Sequence, residues 1–170
     1  MDISELGPLS PDTDVPDWLT SRPIAVPYFD GLELAFTLCG LEESDKNETV
    51  AVVRNFLDLD RRDRLAVGSY VFEYYLRYTE LAAEFGWCSP INSQEDVWSH
   101  VHPTEVFVER RARGDREIYV QIAAECDWEP EHGLQIIYRA GEVLSRVSYQ
   151  DGHLTHTDAF DLPEEQDQIV

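Results

Sequence analysis

EIYVQIAAECDWEPEHGLQIIYRAGEVLSRVSY, residues 117–149, decides the fold. Its first part alternates. Ile118, Val120, Ile122, Ala124, Cys126 and Trp128 share one side of an extended chain, and Glu117, Gln121, Glu125 and Asp127 share the other, because successive strand side chains point to opposite faces. The apolar set is expected to face helices. Leu134–Arg139 and Val143–Tyr149 are further strand-like runs, separated by Ala140-Gly141, and Thr104–Arg110 precedes them across Arg113-Gly114-Asp115. Four successive strands joined by short turns predict an antiparallel meander. Arg139 and Arg146 lie in the neighbouring strands and are expected to meet the acids of the polar face, as exposed pairs of about 0.2–1 kcal/mol each.

Upstream, Asp30-Gly31 stands between Ile24-Ala25-Val26 and the run Leu32–Leu38. That dipeptide supplies the positive backbone angles of a tight turn, which predicts a β-hairpin over residues 23–39. Ser44 and Asp45 are positioned to cap a helix with Val50, Val53, Phe56 and Leu57 on one face, ending near Leu59. Asp60 is placed to cap a longer helix. In it Val67, Val71, Tyr74, Tyr75, Tyr78, Leu81 and Ala82 recur at three- and four-residue spacing, with Gly86 as the stop. A stripe so rich in tyrosine is expected to be core, with hydroxyls emerging at its edge. Ser93-Gln94-Glu95-Asp96 opens a short helix through Trp98, with Ser93 as the cap. The fold class is therefore α+β: an N-terminal hairpin, two to three helices, and a four-stranded meander packed on them.

The chain's 34 acids outnumber its 13 bases, for a net charge of -21. Residues 1–21 hold five acids (Asp2, Glu5, Asp12, Asp14, Asp17) and residues 157–170 five more (Asp158, Asp161, Glu164, Glu165, Asp167), with no base in either stretch. Pro8, Pro11 and Pro16 make the first stretch a poor candidate for regular structure, with Trp18 and Leu19 docking it. The expected organisation is an acidic, proline-containing tail (1–21), one α+β domain (22–156) and an acidic C-terminal tail (157–170). Such charge repels phosphate and anionic lipid, so nucleic acid and membranes are disfavoured and a basic protein partner is favoured. The basic islands Arg61-Arg62-Asp63-Arg64 and Arg110-Arg111-Ala112-Arg113 are mixed with acid and read as solvated faces. Cys39, Cys88 and Cys126 lie far apart and are odd in number, which points to a reducing cytoplasm. No secretory signal or run of about 18 apolar residues is present.

Chemistry concentrates in Cys126-Asp127-Trp128-Glu129-Pro130-Glu131-His132-Gly133-Leu134. Were the strand phase to continue, Glu125, Asp127, Glu129 and Glu131 would project together and attract a hard cation. Pro130 breaks that phase, and the helix-loop-helix calcium pattern is missing, so metal binding by the loop is left open. His132 has the residue type of a general base with Glu129 or Glu131 orienting it. The alternative is a purely structural loop, in which Trp128 plugs the core and Gly133 supplies a turn angle. Trp128, Glu129, Glu131 and His132 are the candidate binding residues, and Glu129, Glu131 and His132 the catalytic set if there is one. The pairs His100/His102 and His153/His156 would make a zinc site only if they converged. No phosphate-cradling glycine loop or nucleophile elbow is found, and the sequence asks for no cofactor.

Asn55-Phe56-Leu57, Tyr74-Tyr75, Asp96-Val97-Trp98, the Cys126–Leu134 segment and Asp151-Gly152-His153-Leu154-Thr155 together resemble a family of uncharacterised bacterial proteins, known only as a domain of unknown function. The resemblance covers roughly residues 23–156. Trp-x-x-Glu-His-Gly-Leu is its most specific piece. It implies a small intracellular α+β protein and brings no activity, cofactor or catalytic residue. A similarity of type, not of motif, connects the chain to small acidic immunity proteins that neutralise basic toxins. The functional expectation is a non-catalytic acidic binding protein, immunity- or regulator-like. Its competitor is a hydrolase or metal-dependent enzyme using Glu129, Glu131 and His132.

Overall fold

A computed structural model describes residues 1–82 and 91–170. The chain runs β1 (Leu9–Pro11), β2 (Leu19–Ser21), β3 (Ile24–Val26), β4 (Leu32–Leu34), β5 (Phe36–Cys39), α1 (Lys46–Asp58), α2 (Arg61–Ala66), α3 (Gly68–Ala82), β6 (Val101–Arg110), β7 (Ile118–Cys126), β8 (Leu134–Arg139), β9 (Val143–Ser148) and α4 (His156–Phe160). Seven strands form one sheet in the order β1-β2-β5-β6-β7-β8-β9, and β3 and β4 pair separately. The meander is present: β6, β7, β8 and β9 are antiparallel neighbours. The sheet is mixed, however, because β5 runs parallel to β6, with Phe36 opposite Val106. A parallel pair needs a long crossover, and here the connection contains α1, α2 and α3.

The N-terminal hairpin differs from the tight turn read in the sequence. Asp30 (φ 56°) and Gly31 (φ 85°) do take the positive angles, but only after a 3-10 turn over Pro27–Phe29. That turn drives Tyr28 and Phe29 into the core, where the Tyr28 hydroxyl meets that of Tyr138 at 2.9 Å. Beyond Ala35 the chain leaves the hairpin and β5 joins the large sheet.

Residues 1–21 were expected to lack regular structure and instead extend the sheet. β1 pairs with β2 and β2 with β5. Ile3 and Leu6 are buried, and Trp18 docks edge-on to Phe107 with ring centroids 6.3 Å apart. The two strands have three residues each, too short to show an alternating pattern through the prolines around them.

The cap before α1 is a reciprocal pair made by Glu42 and Asp45 around a 3-10 turn. Asp60 caps the next helix as expected, in a reciprocal pair with Asp63. The single long helix is in fact two, broken at Val67. Gly68 explains the break: a Cβ there would lie 2.9 Å from the Gln94 carbonyl oxygen and 3.1 Å from Trp98 Nε1. Close approach of the segment ending in Trp98 thus requires the glycine, which is itself a poor helix former. That segment forms a 3-10 helix over Asp96–His100, with the Ser93 hydroxyl accepting from the Asp96 amide. The expected stop at Gly86, and Cys88, lie outside the described residues.

The centre of the sheet, β7 and β8, is buried on both faces. Val53, Phe56, Val71 and Tyr75 pack with Val106, Val120, Ile122 and Ile136 on the helical side. On the reverse side Tyr119, Ile137 and Leu154 form a second cluster. That side was expected to be open and acidic. Instead Gln121 donates to Gln135, which donates in turn to Ser148 and Asp151, all at 3.0 Å. Arg146 is buried and pairs with Asp151 at 2.6 Å rather than with the acids of β7. Arg139 does approach Glu117, at 3.6 Å.

Arg111 also departs from its reading as part of a solvated island. It is 2% exposed and clamps Asp158 through Nε at 2.7 Å and Glu164 through Nη2 at 2.7 Å. Through this clamp the C-terminal segment, including α4, is tied to the end of β6. Arg110 beside it binds Asp45 and Glu48.

Candidate functional site

The β7–β8 connection begins where β7 ends, at Cys126. The Asp127 amide donates to the His100 carbonyl at 3.1 Å, and the chain closes at Gly133, whose amide donates to the Glu129 carbonyl at 3.0 Å. Gly133 has φ +65°, and a Cβ on it would lie 2.5 Å from the Ala124 carbonyl oxygen. Only glycine fits that combination of angle and space.

Glu129 organises the turn from within. Its carboxylate is 7% exposed as a residue, and Oε1 accepts from the amides of Glu131 and His132, both at 3.2 Å. His132 Nδ1 lies 3.3 Å from the same oxygen. The two residues are therefore brought together as an acid–imidazole pair. Glu131 and His132 remain exposed. Trp128 is a core residue, edge-on to Tyr75 with centroids 5.8 Å apart, and its Nε1 is buried with no partner among the described residues. The Cys126 thiol is pushed up to about 12 by burial, which keeps it a neutral thiol.

The four carboxylates do not project as one row. Asp127 turns to β6 and receives His100 Nδ1 on one oxygen and His102 Nε2 on the other, each at 2.8 Å. These two bonds, that from His102 first, hold the Asp127 carboxyl below its ordinary range. The histidine pair thus converges on an aspartate and not on the second pair. His153 lies 3.5 Å from Asp151, and His156 stacks against Phe160. Among the described residues no group of three or more His, Cys, Asp or Glu side chains is placed to hold a metal ion. The imidazoles were visible as His100-x-His102, but their aspartate partner depends on a register that sets His102 opposite Glu125.

A hollow of about 430 Å³ lies against this loop. Its lining includes Glu125, Asp127, Glu129, Glu131, His102 and His132, and no arginine or lysine among the described residues. Glu129 and His132 also line a second, mostly apolar groove. Among the described residues no helix is long and apolar enough to cross a membrane.

These features define a class: acid-rich α+β proteins with a mixed sheet whose centre is buried on both faces and an acid–imidazole turn on a central hairpin. Within that class the chain belongs to the family described as "Domain of unknown function (DUF6985)", whose model matches residues 5–154. No curated protein and no solved structure matches the chain. The matched span takes in every strand of the sheet and the whole loop.

Proposed function

We propose that the protein is a non-catalytic binding protein, immunity- or regulator-like, whose acidic surface engages a basic protein partner. One observation carries the reading. Among the described residues, nine of the 13 basic side chains lie within 4.0 Å of a carboxylate of the chain itself. The cations are thus largely paired within the chain, and among the described residues most of the acids have no basic side chain within 4.0 Å. The acid-lined hollow beside Glu125 and Glu131 concentrates this surplus where a lysine or arginine of a partner would complete the pairs.

The enzyme reading draws support only from the Glu129–His132 contact. A carboxylate oxygen that already holds two backbone amides is committed to the turn, and a catalytic site needs further convergent groups. Retention of partners on the immobilised protein, at low and at high ionic strength, tests the proposal. A specific basic protein retained at low salt and released at high salt is the expected outcome. Retention of no basic protein at low salt contradicts it. A rise in melting temperature with calcium, magnesium, manganese or zinc would instead favour the metal-dependent enzyme, since a ligand selective for the folded state stabilises it.

A further inference from the structure

The second groove, of about 590 Å³, opens between α3, β9 and the C-terminal segment. Its size falls within that of small-molecule sites, and it has their pattern of apolar walls with a few polar groups. Tyr74, Tyr78, Tyr149 and Phe160 supply the aromatic walls. Tyr149 and Phe160 are 41% and 56% exposed, so much aromatic surface faces water beside the groove.

Two polar groups at the groove are open to a ligand. Tyr74 is only 9% exposed and lines the groove, and its hydroxyl is not among the buried side-chain atoms without a partner, so it reaches the groove's solvent. Glu129 uses Oε1 for the turn amides and His132, which leaves Oε2 without a donor among the described residues.

The other charged side chains facing the groove are compensated or weak. Arg146 binds both oxygens of Asp151, at 2.7 and 2.6 Å. Arg77 is held by Glu73 at 2.7 Å. His132 leans on Glu129, and His156 on Phe160. What remains among the side chains is the Glu129 carboxylate; burial first, then Cys126 and Glu129, push the Tyr74 hydroxyl up, and burial followed by Glu129 raises that of Tyr78.

We propose that this groove binds a small organic ammonium ion with an apolar body, the ammonium at Glu129 Oε2 and the Tyr74 hydroxyl, the body among Tyr78, Tyr149 and Phe160. An ammonium answers the carboxylate oxygen that no side chain of the protein pairs and is attracted by aromatic faces, whereas an anion of the same shape meets a like charge. The inference goes beyond the protein-partner reading and does not depend on it.

The test is titration of the full chain with phenethylammonium and, as its anionic counterpart, 3-phenylpropionate, followed residue by residue by NMR. Saturable shifts at Tyr78, Val147 and Tyr149 with the ammonium alone are expected. Glu129→Gln keeps an oxygen for the turn amides and removes the charge, and should weaken binding about tenfold, the scale of one charge-assisted hydrogen bond. Phe160→Ala, at an exposed wall, should weaken it about fivefold with an unchanged melting temperature. The proposal is overturned if the carboxylate binds as tightly as the ammonium or if no saturable shift appears at the groove. It is equally overturned if both Glu129→Gln and Phe160→Ala bind like the parent.

Discussion

Arg111 shows how far a residue's neighbours in sequence can mislead. It stands among Arg110, Ala112 and Arg113, yet it alone of the three arginines is buried, held by Asp158 and Glu164. Removing it leaves the Asp158 carboxylate, whose side chain is 18% exposed, without its counterion and opens a space where a fully buried guanidinium stood, so Arg111→Ala should cost about 3 kcal/mol in urea unfolding. The Arg111 hydrogen bond also keeps the Asp158 carboxyl below its ordinary value of 3.8. A carboxyl with a lowered folded pKa contributes stability that is complete above its unfolded pKa and is lost as pH falls through the folded one. The Asp158 contribution should therefore be level above about pH 4 and decline below it, so that in Arg111→Met the loss of stability below about pH 4 should be shallower. Equal acid slopes for the two proteins would refute the pairing. Sequence could not reveal this clamp, because it joins residues about fifty positions apart across the end of a strand.

At the scale of elements, patterns that repeat were legible and contacts that do not repeat were not. Alternation through Ile118–Trp128 gave the meander, and three- and four-residue spacing gave the helices. β1 and β2, at three residues each, carry no period, and the parallel pairing of β5 with β6 has no local mark at all. The break at Val67 was set by Gln94 and Trp98, which approach Gly68 from another segment. The candidate turn was legible in part: Trp128 inward and Gly133 at a turn angle follow from residue type. The pairing of Asp127 with His100 and His102 needed the strand register. Two glycines make a direct test of the hairpin. Gly133→Ala combines a positive φ with a Cβ 2.5 Å from a carbonyl oxygen, whereas Gly152→Ala has φ +74° and open space. The first should cost more than about 2 kcal/mol and the second about 1 kcal/mol, measured as unfolding free energies. Equal costs would mean that the close approach at Ala124 is absent.

For the whole molecule the dominant quantity is charge. The net -21 was plain from composition, but its deployment was not: acids of both terminal stretches are drawn into ion pairs, Glu5 with Arg54 and Asp158 with Arg111. The surplus is therefore carried by side chains such as Glu125, exposed at the end of β7, and Glu131, exposed in the loop that follows. Screening acts on exposed charges over roughly 8 Å at physiological salt, so association through such a surface must weaken as salt rises. The most direct measurement is retention of basic proteins by the parent chain and by a Glu125→Gln, Glu131→Gln double variant, each at low and high salt. A basic partner held by the parent at low salt, released at high salt and lost by the variant is the predicted result. Retention that is indifferent both to salt and to the two substitutions would contradict it.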